Sequence, residues 1–175
     1  MDDEMLEKGD WIVHGQHGVG QIEAIEEKKI GENIEKYFRV KVSRGVYWLP
    51  ISKVPDYVRS VSSSYKFRKV LKIIREEHQE LLTNYKERNR QIAEKLENAS
   101  IETIGELIRD LDARRHIDSV KLSAVNERQL AELRQQFLRE MTVVLEIEME
   151  EAEKKLDKAL KKSMAKFHNE EKEHI

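Results

Sequence analysis

The segment GDWIVHGQHGVG, residues 9–20, decides the structure of the N-terminal third of the chain. Residues 11–13 form an apolar run as long as a short strand. The glycine-rich stretch 14–20 predicts a tight turn after it, because glycine adopts positive φ without steric penalty. A strand that runs into such a turn is typical of an antiparallel pair. The segment therefore predicts a small β domain at the N-terminus.

Strand patterns continue outward from this segment to about residue 61. Residues 37–42 alternate cleanly, which places Phe38, Val40 and Val42 on one buried face. The first strand after the turn alternates less well, because Gly20 and Ala24 interrupt its apolar positions. Short strands joined by tight turns are typical of a small antiparallel barrel or a strongly bent sheet. The predicted strands cover residues 11–13, 19–25, 37–42, 46–49 and 57–61.

The rest of the chain predicts helices. Both prolines and six of the seven glycines lie before residue 56, and the serine run 62–64 marks a boundary and an N-cap. Beyond it, apolar residues recur at helical spacing, and residues 168–175 are polar and expected to be frayed. The fold class expected is α+β, with domains 1–63 and 64–175. Five helices are predicted, over 65–77, from 83 or 84, from 100, from 122–123, and over 148–166.

Composition narrows the class of protein. The chain has no cysteine, which excludes disulfides and thiolate metal sites. No apolar run approaches the roughly 20 residues of a membrane helix. The acidic start, residues 1–10, lacks the basic-then-apolar order of a signal peptide. We expect a soluble cytoplasmic protein that does not contact a membrane.

The net charge of −2 conceals one basic segment. Residues 64–95 hold 9 Lys/Arg against 5 Asp/Glu, whereas residues 1–63 hold 9 against 11 and residues 96–175 hold 14 against 18. A basic segment on a mildly acidic protein predicts local contact with an anion. A solvated helix face would show the same charge pattern.

Catalytic and metal-binding patterns are weak. His14 and His17 flank the first turn and could in principle bind a metal, but a catalytic zinc site needs a third protein ligand that nothing nearby supplies. No nucleophile elbow, phosphate loop or zinc-protease helix appears. We therefore expect no enzyme, no cofactor and no small-molecule substrate.

The stretch 83–90 is the strongest candidate for binding. It places Tyr85, Lys86, Arg88 and Arg90 in the first turns of a helix. A helix start favours phosphate, basic side chains add counterion release, and an aromatic ring can enter a groove or stack on an unpaired base. The alternative is that Tyr85 packs on a neighbouring leucine and the basic residues are solvated.

The opening motif 9–20 resembles the "GD-x-V-V-Y-P-x-H-G-V-G" start of the CarD/CdnL family of bacterial transcription regulators. The same motif occurs in the polymerase-interacting module of the transcription-repair coupling factor, but the helical half here also matches the stand-alone CarD-like proteins. The resemblance covers about residues 6–162. In order, the helical matches lie at 83–85, 94–96, 109–111, 122–123, 146–147 and 151–152.

For the N-terminal domain, the resemblance implies a Tudor-like fold that pairs with the β subunit of RNA polymerase. Lys28 matches a basic contact position of the family, and Trp48 lies where some members carry arginine. With these two residues we assign Lys29 and Arg39 to the polymerase-binding surface.

For the helical domain, the resemblance implies contact with promoter DNA at the upstream edge of the transcription bubble, which stabilises the open complex. Tyr85 stands where the family usually has a tryptophan wedge in the minor groove. Arg88, Arg90 and Arg128 match basic positions of the family's DNA patch, and Lys86 lies among them. We expect a monomeric regulator without catalysis. The alternative is a polymerase-binding adaptor whose helices recruit a protein instead of DNA.

Overall fold

A computed structural model describes residues 6–97, 99–117 and 121–173, with the side chains of the last helix described as far as residue 166. Contacts divide the chain into two compact units, Met1–Val61 and Ser62–Ile175. The first holds the strands and the second the helices. The α+β fold class predicted from the sequence is confirmed.

The first unit is a five-stranded antiparallel sheet. Its strand order is β4-β3-β2-β1-β5, so that consecutive strands pair and β5 returns to the open side of β1. The prediction ended β2 at residue 25, whereas the strand continues to Ile30. Its last residues were not recognised because they are mostly charged and show no alternation of apolar residues. The strands are β1 (Trp11–His14), β2 (Gly18–Ile30), β3 (Asn33–Val42), β4 (Gly45–Pro50) and β5 (Val58–Ser60).

One face of this sheet carries the core of the unit. Phe38 lies opposite Leu49, and Val40 lies opposite Ile22. All four side chains are almost fully buried. Each such burial contributes about 1.5–3 kcal/mol relative to exposure in water. The predicted inward face of β3 is thus confirmed at Phe38 and Val40, whereas Val42, near the strand end, is only half-buried.

A β-bulge explains the imperfect alternation of β2. The register shifts between Ile22 and Ala24, so that Glu23 is the extra residue on its strand. Gly20 lies two residues before Ile22 on the same strand. A Cβ on Gly20 would come within 2.7 Å of Val42 Cγ1 and 2.9 Å of the Lys41 carbonyl oxygen. The close approach of β3 requires glycine at that position.

The second unit consists of five helices. The predicted caps are confirmed, because the side chains of Ser63, Asn84, Ser100 and Ser123 each accept a backbone N–H of the first turn. The fifth helix is longer than predicted: it continues through 168–173, which we expected to be frayed, while 174–175 lie outside the described residues. The helices are α1 (Ser64–Ile74), α2 (Tyr85–Leu96), α3 (Ile101–His116), α4 (Ala124–Leu145) and α5 (Met149–Glu173).

The helical core is built from the apolar stripes that the sequence predicts. The rings of Phe67 and Phe137 pack with centroids 5.0 Å apart, which joins α1 to α4. α3 lies in the middle of the unit, because its side chains are buried on most sides. The remaining core residues include Val70, Ile74, Ile92, Ile104, Leu107, Ile108, Leu111, Leu130, Met141, Leu156 and Ala159.

Polar side chains of α3 fix the irregular connection between α1 and α2. The buried Asp110 carboxylate accepts the Gln79 N–H at 2.9 Å and pairs with Arg109 Nε at 2.8 Å. Arg109 also donates to the Ile73 carbonyl at the end of α1, and Arg114 donates to the Leu81 carbonyl. These bonds satisfy backbone groups that would otherwise be unpaired. They also hold in place the segment that leads into α2.

A short turn makes α4 and α5 an antiparallel hairpin. Glu146 ends α4 in the left-handed region at φ 53°, and α5 begins three residues later. Helices joined by so few residues pack as antiparallel neighbours. Arg134 of α4 pairs with Asp157 of α5 at 2.8 Å, which fixes the register of the hairpin.

Candidate functional site

Helix α2 begins with the residue that the sequence singled out. Asn84 is the N-cap, and its Oδ1 accepts the N–H groups of Lys86 and Glu87 at 3.0 and 3.3 Å. This fixes Tyr85 as the first helical residue, with 59% of its surface exposed. The cap uses two of the N–H groups that the sequence analysis assigned to phosphate. The anion affinity of this helix start therefore depends more on side chains than on the backbone.

The surface around Tyr85 is both apolar and basic. Lys86 Nζ lies 6.0 Å from the centre of the Tyr85 ring. Leu82, before the cap, and Val125, in the first turn of α4, are also exposed. A flat ring with apolar neighbours and a cation beside it can stack on a base or enter a groove while the cation contacts phosphate. With 59% of its surface exposed, Tyr85 is not covered by Leu81 or Leu82, so much of its ring is accessible to a ligand.

Arg88 is where the structure departs from the predicted DNA-binding set. Its side chain is buried, and two nitrogens of its guanidinium donate hydrogen bonds inside the protein. Nη1 donates to the carbonyls of Leu82 and Thr83 at 2.8 and 2.9 Å, and Nε donates to Asn126 Oδ1 at 3.0 Å. Burial lowers the pKa of Arg88 from its ordinary value, and the charge of Arg114 acts in the same direction. Arg88 therefore positions the helix start and does not present a charge to a ligand.

Asn126 completes this clamp from the side of α4. Its Nδ2 donates to Asn89 Oδ1 at 2.9 Å, while its own N–H is held by the cap Ser123. The side chain is fully buried. The starts of α2 and α4 are thus fastened side by side. Sequence reasoning missed Asn126, whose only signal was a polar residue close to a predicted N-cap.

The other predicted DNA contacts are exposed. Arg90 lies on the outer side of α2 and forms a weak pair with Glu94 at 3.8 Å. Arg128 lies two residues after Asn126, at the same end of the unit as Tyr85. Its neighbour Glu127 pairs with Arg115 at 2.7 Å, so that Glu127 is partly neutralised. The structure therefore gathers Tyr85, Lys86 and Arg128 at one end, with Arg90 one turn further along α2.

The predicted polymerase-binding residues lie on the sheet of the first unit. Lys28 Nζ stands 3.5 Å from the centre of the Trp48 ring, a cation–π contact, and Trp48 Nε1 donates to Glu26 at 2.7 Å. Arg39 lies directly opposite Trp48 on the neighbouring strand. These residues occupy the face opposite the core. Trp48 is 43% exposed there, which leaves an aromatic edge available to a partner.

Lys29 does not belong to this face. Successive side chains of a strand point to opposite sides, so Lys28 and Lys29 diverge. Lys29 lies opposite Ile34 in the register of β2 and β3. The structure therefore brings together Lys28, Arg39 and Trp48 and separates Lys29 from them.

Two acidic residues that sequence reasoning missed complete the face. The bulged Glu23 pairs with both Arg39 and Lys41, and Glu26 pairs with Arg39 at 3.5 Å. The signal for Glu23 was the spacing of the apolar residues Ile22 and Ile25, which is three where two residues on the same face of a regular strand are separated by two. The face is thus a mixed ionic surface around one aromatic ring and not a purely basic patch.

The pair His14 and His17 has a structural arrangement. His14 Nδ1 accepts the N–H groups of Gln16 and His17 at 3.0 and 3.3 Å, which closes the first turn. The two imidazoles pack against Tyr47, whose pKa is raised by burial to about 12. Burial lowers the pKa of His14, and His17 contributes in the same direction. Within residues 6–97, 99–117 and 121–173, no three potential ligands converge on a metal position.

In the part of the chain that the structure describes, no helix combines the length and the apolarity that crossing a membrane requires.

Comparison with known proteins covers both units. The family described as "CarD-like/TRCF RID domain" matches residues 6–62, and the family described as "CarD, C-terminal domain" matches residues 69–157. The chain is also 31% identical over 110 residues to "Putative transcription factor YdeB" of Bacillus subtilis (strain 168), a stretch that covers 61% of this chain and 72% of that protein. The Tudor-like character expected of the first unit agrees with the matched domain and with the five-stranded sheet.

Proposed function

Because the chain belongs to the CarD family of transcription factors, we propose that it regulates transcription by binding RNA polymerase through its sheet and promoter DNA through its helices. The match of the first unit to the CarD-like/TRCF RID domain, a domain that interacts with the polymerase β subunit, supports the first contact. The protein acts in the cytoplasm as a monomer and without catalysis.

The sheet face around Trp48 is the surface that docks on the β subunit. Trp48 offers a half-exposed ring held between Lys28 and Glu26, so little side-chain freedom is lost when a partner covers it. Arg39 is already paired within the face. It therefore orients the surface, while Lys28 and Trp48 make the contact.

The observation that carries the DNA contact is the exposed Tyr85 on a helix start clamped from inside by Arg88. A ring held rigidly beside Lys86, at the same end of the unit as Arg128, can stack at the edge of the bubble while the cations contact phosphate. Such stacking is worth about 1–3 kcal/mol per base. Because the ring binds the opened duplex better than the closed one, it shifts the equilibrium toward the open complex. Only three exposed cations, Lys86, Arg90 and Arg128, are proposed to contact phosphate, so we expect weak binding to DNA in the absence of polymerase.

A second candidate is an adaptor whose helices recruit a protein. The burial of Arg88 favours it, since one of the basic residues expected to contact DNA is not available to a phosphate. The apolar exposure of Leu82, Tyr85 and Val125 would suit a protein partner as well.

A footprint of the polymerase–promoter complex with and without the protein distinguishes the two candidates. We expect added protection at the upstream edge of the bubble, and loss of that protection in Tyr85→Ala while polymerase is still retained in a pull-down. Retention of polymerase without any change in the footprint would favour the adaptor. Failure to retain polymerase from a lysate would contradict both.

A further inference from the structure

The lysines of α5 fall into two groups. Between residues 149 and 166 the helix carries six of them, and three are ion-paired at 2.6–3.2 Å. In two of these pairs the acid stands four residues earlier on the same helix, the orientation that stabilises a helix best. The pairs are Lys154 with Glu150, Lys155 with Glu151, and Lys166 with Glu76 of the segment after α1.

The other three lysines, Lys158, Lys161 and Lys162, form what we call the lysine face. All three are exposed, and no ion pair joins them to any side chain among the residues that the structure describes. At 100° per residue they lie on the side of α5 opposite its buried positions, which include Leu156 and Ala159. The face therefore points away from the helical core, where it also lines a shallow open depression.

The spacing within this face works against the helix. Lys158 and Lys162 are four residues apart, and Lys158 and Lys161 are three apart, so like charges meet on one side. The residue four positions before Lys158 is another lysine, Lys154, whereas Lys154 and Lys155 each have a glutamate four positions before them. Asp157, four before Lys161, is engaged by Arg134 of α4. This spacing of like charges is mildly unfavourable for the helix, and an anion bound across the three lysines would relieve it.

The hairpin register shows which end of the unit this face occupies. Arg134 pairs with Asp157, and the two helices run in opposite directions from that point. Lys162 lies five residues beyond Asp157 and Arg128 lies six residues before Arg134, about 7 to 9 Å along each axis at 1.5 Å per residue. Lys161 and Lys162 thus lie within about 3 Å of the level of Arg128 along the hairpin axis, whereas Lys158 lies near the level of Arg134. The start of α4, to which Arg88 fastens the Tyr85 helix, lies further toward the same end.

We propose that Lys158, Lys161 and Lys162 bind backbone phosphates of duplex DNA, as a second contact on the DNA that the Tyr85 surface touches. The inference rests on the DNA contact proposed above. Lysine can make this contact because its compact ammonium binds phosphate as a point charge, and the position of Lys161 and Lys162 along the hairpin, near the level of Arg128, favours DNA over an acidic protein. The contact is independent of base sequence, since phosphates carry no sequence information.

Two triple variants with the same change in net charge test this. Lys158→Gln with Lys161→Gln and Lys162→Gln removes the face, and Lys66→Gln with Lys155→Gln and Lys166→Gln removes three ion-paired lysines that do not line the depression. Affinity for a labelled promoter duplex is measured by fluorescence anisotropy over a series of salt concentrations, with circular dichroism to verify that each variant is folded. We expect the face variant to bind about five- to tenfold more weakly at low salt and to lower the slope of log affinity against log salt by about 2 to 3. The control variant should keep a slope close to that of the wild type.

Three outcomes would overturn the inference. Equal losses in both triple variants would show an effect of net charge alone. An unchanged slope in the face variant, with wild-type binding intact, would remove the face from the DNA site and leave the Tyr85 contact standing. An unchanged slope with reduced retention of polymerase would assign the face to an acidic protein surface. If the wild type itself binds no duplex, alone or with polymerase, the proposed DNA function fails together with the inference.

Discussion

Arg88 Nε donates a 3.0 Å hydrogen bond to Asn126 Oδ1, and this bond joins the starts of two helices that lie 38 residues apart in the chain. The same guanidinium satisfies the carbonyls of Leu82 and Thr83 in the segment that enters α2. Tyr85, one helical turn before Arg88, is therefore held on a rigid base although its own side chain is exposed.

Arg88→Met should destabilise the protein without removing a ligand contact. The variant leaves two partly buried carbonyls and the buried Asn126 amide oxygen without their donor, so the free energy of unfolding should fall by about 2–4 kcal/mol. Urea denaturation measures it. The matched control is Arg90→Met on the exposed side of the same helix, which should change stability by less than about 0.5 kcal/mol. Equal effects of the two substitutions would contradict the clamp.

Tyr85→Ala should shorten the lifetime of the open complex on a responsive promoter. Loss of one stacked ring should remove about 1–3 kcal/mol of stabilisation, which corresponds to a lifetime of the open complex that is roughly five- to 150-fold shorter. Tyr85→Trp should keep or lengthen the lifetime, because the larger ring stacks over more area. Since Tyr85 is exposed, neither variant should alter thermal stability appreciably. An open complex that decays at the same rate with all three side chains would exclude a wedge.

Trp48→Ala should weaken binding to the polymerase β subunit at least about tenfold, since a half-exposed tryptophan at the centre of a surface is a common source of binding energy. Lys28→Ala should have a smaller effect in the same direction, because it removes the cation over the ring. Lys29→Ala on the opposite face is the control and should leave affinity within about twofold. Biolayer interferometry with purified polymerase measures all three, and a loss at Lys29 as large as at Trp48 would show that the docking face is misplaced.

The turn closed by His14 should make stability depend on pH. The folded pKa of His14 lies below the unfolded value of about 6.5, because burial disfavours the charged imidazolium and the charge of His17 acts in the same direction. A proton on Nδ1 would also break the two hydrogen bonds that this atom accepts. The contribution of His14 to the free energy of unfolding is therefore fully present above about pH 6.5 and decreases as the pH falls toward the folded pKa.

His14→Asn places a non-titrating acceptor near the position of Nδ1 and should remove this component of the acid sensitivity. His17→Gln should retain it in the same direction, because burial of His14 is the larger cause of its pKa shift. Denaturant midpoints recorded from pH 7 downward measure the difference. Identical pH profiles for wild type and His14→Asn would contradict the role of this turn.

Gly105→Ala should destabilise the helical unit although alanine favours helices. A Cβ at Gly105 would lie 2.6 Å from Val70 Cγ1 and 3.3 Å from Ile74, so α1 and α3 would have to separate. Overpacking of this kind costs about 1–3 kcal/mol, which exceeds the gain in helix propensity of about 0.5–1 kcal/mol. In a protein that already carries Val70→Ala, Gly105→Ala should lower the free energy of unfolding by clearly less. An equal cost in both backgrounds would show that the Val70 contact is not responsible.

Local signals account for most of what the sequence predicts correctly. Ser63, Asn84, Ser100 and Ser123 stand directly before apolar periodic stretches, and a cap needs only its own helix to form. The alternation of β3 is equally local. These signals placed Tyr85 at a helix start before any contact was known.

What the sequence did not predict depends on residues distant in the chain. Arg88 has the pattern of an exposed basic residue, and its burial follows from Asn126 on another helix. Lys28 and Lys29 seemed equivalent because the charged end of β2 shows no alternation, and only the pairing with β3 separates them. Tyr85, Lys86, Arg90 and Arg128 as DNA contacts, and Lys28, Arg39 and Trp48 as polymerase contacts, stay predictions.

The junction between the units has a quantitative consequence. Val61 N–H donates to the Trp11 carbonyl within the first unit, and Ser62 N–H donates to Glu140 Oε1 at 2.8 Å within the second, so no long linker joins the two units. In the proposed mode, a sheet docked on polymerase holds the helices near DNA at an effective concentration on the order of millimolar, as short connections do. A DNA contact too weak to be useful in free solution is then close to saturated. The protein would find its place on a promoter by distance from the polymerase and not by searching for a sequence.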